Sequence, residues 1–115
     1  MSKIIYHMCH LSEWQVAVAA DVYGGASQDQ ADGFIHFSTG SQVEESARRH
    51  RAGQDGLVLL TVDAAMLGDS LRWEEARGGE LFPHLYGKLP ISAVMEVQTL
   101  PLDESGEHRF PLLED

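Results

Sequence analysis

Three of the six histidines in the sequence lie inside apolar segments: His7 in K-I-I-Y-H-M, His36 in G-F-I-H-F-S-T and His84 in F-P-H-L-Y-G. Histidine titrates nearest neutrality, so several converging on one cleft position a substrate, shuttle a proton or bind metal. A lone histidine on a strand is more often a half-buried residue satisfied by its neighbours. Three in matching settings favour a shared site. The second segment runs into S-T-G-S-Q, where Ser38, Thr39 and Ser41 gather at the start of a helix whose free amides and positive dipole end attract anions. The competing role for those hydroxyls is simple capping. Glu74 in R-W-E-E and Glu80 offer a carboxylate base or a partner for a sugar hydroxyl, and Trp14, Trp73 and Tyr86 offer flat faces for stacking.

Other chemistries fit less well. A metal site would draw on His7, Cys9, His10, His36 and His84, yet H-x-C is not an established zinc spacing and no C-x-x-C, H-E-x-x-H or H-x-x-x-H occurs. A serine hydrolase built on Ser38 or Ser41 with Asp63 lacks the G-x-S-x-G elbow. Cys9 paired with His36 or His84 is chemically open, but a single thiol on an apolar strand is more often core. Neither G-x-G-x-x-G nor G-x-x-x-x-G-K-[ST] is present, so a nucleotide would need a different cradle.

The elements that must position these groups follow from local pattern. Residues 3–8 read as a first strand, with His7 and Cys9 on one face and Tyr6 and Met8 on the other. The S-x-x-Q at Ser12 predicts a capped helix over 13–20, closed by Gly24-Gly25. After a polar loop, A-S-Q-D-Q-A-D, residues 33–38 read as a second strand with Phe34, His36 and Ser38 on one face and Ile35 and Phe37 on the other. A second capping box at Ser41 predicts a helix to about Ala52, whose terminal Arg48-Arg49-His50-Arg51 complements the dipole. The nearly continuous apolar run 57–63 is a strand covered on both faces, near the centre of the sheet. Residues 71–75 are a shorter strand, 78–90 an ordered loop, and 93–112 a C-terminal hairpin. The order implies one α+β domain over 1–115 with two principal helices and a mixed or mainly antiparallel sheet.

A chain of 115 residues supports a single core. Its 18 acidic against 8 basic residues, a formal net charge of −10, repel a phosphate backbone, so broad nucleic-acid binding is not expected while a local pocket for one small anion remains open. The lone cysteine and an N-terminus without a long apolar h-region point to the cytoplasm. No apolar run approaches the ~20 residues that span a bilayer.

Taken together, Y-H on the first strand, Trp14 and Tyr23, G-F-I-H-F-S-T with Gln42, then L-V-L-L, W-E and F-P-H-L-Y-G with Ala93-Val94 resemble the uncharacterised bacterial family called domain of unknown function 952, over about residues 5–97. That family is similar, remotely, to the ADP-ribosyltransferase superfamily, whose compact split sheet binds NAD in a cleft between strands. The resemblance implies that His7 holds a ribose hydroxyl or phosphate, and that Ser38 and Thr39 face the ligand. Where such transferases place the acidic residue that orients the nicotinamide ribose, this sequence offers His84 and Tyr86, with Glu74 as a reserve carboxylate. The expectation is a small-molecule, nucleotide-like ligand, NAD or an ADP-ribosyl compound as substrate, with His36 and His84 orienting the sugar or moving protons. Two alternatives stand beside it: a noncatalytic module, for which the three histidines lie apart, and a metal-dependent hydrolase, for which they converge on one point.

Overall fold

The computed structural model describes residues 3–114, and of Arg77 the backbone alone. Its centre is the apolar run itself. Strand β4 (Leu57–Asp63) is buried from Leu57 to Val62 and pairs antiparallel with β1 (Ile4–His10) on one side and β8 (Val94–Leu100) on the other. Its alternate residues feed two cores: Val58, Leu60 and Val62 join Ile5 and Cys9, whereas Leu57 and Leu59 join Ile4, Tyr6 and Leu100. Both faces are therefore covered, as the unbroken hydrophobicity requires.

A second antiparallel sheet has the order β3-β6-β5, from β3 (Ile35–His36), β5 (Leu71–Glu75) and β6 (Leu81–Leu85). Ile35, Phe37 and Leu85 anchor one face of it in the core, and Phe34, His36, His84, Tyr86, Arg72 and Glu74 share the other by alternation and register. A two-residue pair, β2 (Val22–Tyr23) with β7 (Leu89–Pro90), closes the core beside helix α1 (Leu11–Ala20). Helix α2 (Ser27–Asp32) leads into β3, and α3 (Val43–His50) follows it. The architecture is α+β with split antiparallel sheets and two main helices.

Several boundaries differ from the sequence expectation, each for a local reason. The 81–85 segment is a strand, not a loop, and its proline sets the limit of its neighbour. Phe37 donates its amide to the Pro83 carbonyl (3.0 Å), but Pro83 has no N–H to return, so β3 ends at His36 instead of Ser38. Helix α1 starts at Leu11 because Glu13 Oε1 takes the His10 amide (2.8 Å), two residues ahead of the expected serine cap. Helix α3 is entered through Gln42, not Ser41, and ends at His50. The polar loop is α2, stopped by Gly33 at φ 86°. The C-terminal hairpin reduces to one bridge, Leu102 to His108, because β8 spends its pairing on β4. Among the described residues no helix is long and apolar enough to cross a membrane.

Candidate functional site

Among the described residues the two sheets meet at one backbone bridge, where Tyr6 and Ser38 exchange both hydrogen bonds at 2.8 Å. One ladder step further, Met8 and His36 would be the next pair, and instead the strands part. Side chains replace the missing backbone partners. The His36 amide donates to Asp29 Oδ1 (3.0 Å), the His36 carbonyl accepts from His7 Nδ1 (2.6 Å), and the Met8 carbonyl accepts from Arg51 Nη2 (3.1 Å). The parting leaves a cleft of about 840 Å³, with His7, Asp29, Asp32, His36, Ser38 and His84 among its walls.

His7 is 3% exposed and forms the cleft floor. Its carbonyl partner fixes the proton on Nδ1, so Nε2 accepts from the Tyr23 hydroxyl (2.7 Å). Burial holds the imidazole below its ordinary pKa and keeps it neutral. The chain of contacts continues inward, because the Tyr23 hydroxyl also meets the Cys9 thiol, which burial pushes up to about 12. Cys9 is thus an inert core thiol.

His36 sits between two carboxylates of α2. Its Nδ1 donates to Asp29 Oδ1 at 2.6 Å and its Nε2 faces Asp32 Oδ2 at 3.0 Å, which accounts for both ring protons of an imidazolium. The hydrogen bond to Asp29 raises its pKa above the ordinary histidine value. Burial pushes Asp29 up, but the hydrogen bonds from the His36 side chain and from the amides of His36 and Ala26 (2.7 Å to Oδ2) outweigh it, and the carboxyl titrates below its ordinary value.

His84 lies directly across from His36 in the β3–β6 register, with ring centroids 5.6 Å apart. Phe34 stacks on His84 at 4.2 Å and flanks His36 at 4.5 Å. On the next strand Glu74 Oε1 accepts from His84 Nδ1 (2.8 Å) and from the Tyr86 hydroxyl (2.7 Å), and Arg72 caps the Tyr86 ring at 5.1 Å. The hydrogen bond from His84 lowers the Glu74 pKa, and the one to Glu74 raises that of Tyr86. Glu74 thus holds His84 by Nδ1, and His84 is among the residues that line the cleft.

The family described as protein of unknown function (DUF952) matches over residues 8–97. The chain belongs to the DUF952 family. It is similar to the protein CC0527 from Caulobacter crescentus, with 44% identity to its crystal structure over 92% of this chain and 93% of that one, at a TM-score of 0.89. The solution NMR structure of CC0527 is 45% identical, covers 90% of each chain and has a TM-score of 0.81. No curated protein matches.

In this DUF952 member, His7, His36, His84 and Ser38 line the cleft. The arrangement is not the separated one of the noncatalytic reading, and among the described residues no group of three or more His, Cys, Asp or Glu is placed to hold a metal ion. Glu74 and Tyr86 stand behind His84, Glu74 hydrogen-bonded to both, and are not among the cleft-lining residues. Thr39 is turned to its own loop: Gln42 Oε1 takes its amide (3.0 Å) and its hydroxyl meets that of Ser41 (3.1 Å), while the Ser38 hydroxyl meets Ser46 (3.2 Å). Gln42 also reaches the Leu81 carbonyl (2.9 Å) and so ties this loop to β6. Trp14 is core and Trp73 lies under Lys3 Nζ (5.9 Å), so neither faces the cleft. Asp29, Asp32 and Arg51 are the cleft-lining residues that pattern reading missed. The spacing D-x-x-D-x-x-x-H, which sets Asp32 four residues before His36, was the available signal for the first two.

Proposed function

We propose that this protein binds a nucleotide-like ligand of the NAD or ADP-ribosyl class in the cleft between its sheets and cleaves or transfers at the N-glycosidic bond. The observation that carries the reading is the pairing of His36 with His84 across β3 and β6, backed by carboxylates from α2 and β5, on the wall of one cleft. Its volume of about 840 Å³ falls in the range of roughly 300–1,000 Å³ typical of small-molecule sites. A split sheet with a cleft between its strands is also what the resemblance to the ADP-ribosyltransferase superfamily implies. In hydrolysis the C–N bond breaks with its electron pair passing to the nicotinamide nitrogen. Water's oxygen bonds to the ribose carbon, and its proton passes to His84 Nε2, whose other nitrogen Glu74 holds. Asp32, half-exposed beside His36, supplies negative charge for the ribose hydroxyls or the developing oxocarbenium. His36 orients that carboxylate, Ser38 binds a polar edge, and His7 acts from below by fixing the His36 carbonyl.

Calorimetric titration with NAD, ADP-ribose and nicotinamide tests the reading, comparing wild type with His36→Ala. The expected result is binding of the ADP-ribosyl compounds, weakened in the variant. Release of nicotinamide from NAD, followed by chromatography, should fall by about 100-fold in His84→Asn. Absence of binding by any of the three ligands at millimolar concentration overturns it.

A further inference from the structure

The four backbone groups freed where β1 and β3 part are not all accounted for by the side chains that replace them. Tyr6 turns its N–H and C=O toward Ser38, so alternation turns those of Met8 the same way, away from β4 and into the cleft. The Met8 carbonyl is taken by Arg51. The Met8 N–H has no acceptor among the described residues. Beside it, the Arg51 guanidinium spends one nitrogen on that carbonyl and one on Gln54 Oε1 (3.2 Å). It has no carboxylate partner among the described residues, although the chain carries ten more negative than positive charges. The carboxylates in the same cleft are already engaged. Asp29 and Asp32 hold His36, and Glu13 takes the His10 amide.

We infer that Arg51 and the Met8 amide form an oxyanion subsite that takes one phosphoryl group of a phosphate-bearing ligand. A planar guanidinium with spare N–H groups and an adjacent backbone N–H is the donor set that phosphate oxygens require. The subsite rests on the nucleotide reading for its place in a larger ligand, where it receives the pyrophosphate while the histidine pair faces the ribose. Its own chemistry is separate. The basic run at the end of α3 therefore does more than answer the helix dipole: Arg49 pairs with Glu45 (3.1 Å), while Arg51 turns into the cleft.

The test is titration of the ¹⁵N-labelled full chain with inorganic pyrophosphate, followed by amide chemical shifts, for wild type, Arg51→Gln and Arg51→Lys. The expected result is a saturable shift of the Met8 amide in wild type, affinity lowered about tenfold or more in Arg51→Gln and by less in Arg51→Lys. The amide spectrum of each variant reports its folding, and the Met8 shift in wild type needs no variant. A Met8 amide that stays fixed at millimolar pyrophosphate overturns the subsite, as does unchanged affinity in Arg51→Gln. Pyrophosphate binding that depends on Arg51 without any binding of ADP-ribose keeps the subsite and removes the nucleotide reading. ADP-ribose binding of equal strength in wild type and Arg51→Gln does the reverse.

Discussion

Asp29 is 4% exposed and receives three hydrogen bonds, from Ala26 N, His36 N and His36 Nδ1, so one carboxylate holds together a helix start, a strand and a cleft side chain. Its lowered pKa means that its contribution is complete above its ordinary 3.8 and is lost as pH falls through the folded value. The raised pKa of His36 works in the opposite sense: its contribution is complete below 6.5 and lost as pH rises through the folded value. The pair is therefore most stabilising between 3.8 and 6.5. Asp29→Asn should cost about 2 kcal/mol near pH 5, held to that size by solvent around the 38%-exposed His36, and less at alkaline pH. Urea unfolding at the two pH values measures this, and NMR titration of the His36 ring should move its midpoint down toward 6.5 in the variant. His7, pushed below 6.5 by burial, adds stability above that pH and loses it on acidification. His7→Phe strands the His36 carbonyl and leaves the Tyr23 hydroxyl only its contact with the Cys9 thiol, a loss of about 2–3 kcal/mol at neutral pH. The variant's unfolding curves should also lack the share of acid destabilisation that protonation of a buried imidazole brings.

Helix α2 brings Asp29 and Asp32 to His36, and its approach depends on Gly25. Gly25 holds φ +97°, and a Cβ there would lie 2.7 Å from Asp29 Cβ. Gly25→Ala should therefore shift α2 off β3, destabilise the fold by about 2 kcal/mol and weaken any ligand that Asp32 contacts. Denaturant unfolding and the His36 ring titration read the two effects. The legibility of the sequence divides along the same line. Strands β1, β4 and β5 and the two faces of the His36 segment were readable because their β-branched, aromatic and apolar residues mark them locally, β4 by an unbroken apolar run and the His36 segment by alternation. Helix α2 was not, because six residues of S-Q-D-Q-A-D carry no apolar stripe; it forms because Asp29 caps the Ala26 amide and Gly33 ends it. The histidines were recognisable as unusual one by one. Their partners were not, since Glu74 reaches His84 only through the β5–β6 register, and Arg51 reaches Met8 across 43 residues of chain.

At the scale of the whole molecule the two sheets differ in how firmly they are held. Strand β4 is paired on both sides and buried on both faces, whereas β3 has two paired residues and joins β1 through the Tyr6–Ser38 bridge and the His7 side chain. Amides of β4 should therefore exchange with solvent only through global unfolding, and those of β3 and β5 through smaller openings of lower free energy. Of the proposed ligand contacts, His36, His84 and Asp32 lie on the weaker sheet and on α2, whereas the Met8 amide and Arg51 lie on β1 and at the end of α3, so binding as proposed adds contacts across the joint. A ligand present at about 100 times its Kd stabilises the bound state by about 2.7 kcal/mol. Where it bridges α3 and β1 to the His36–His84 wall, that increment should appear as slower exchange at Phe37, His36 and Leu85 as well as a higher Tm. Hydrogen exchange followed by NMR with and without ADP-ribose measures it. Protection confined to β1 and α3 would mean that the ligand occupies the Arg51 end alone and never reaches the histidine pair.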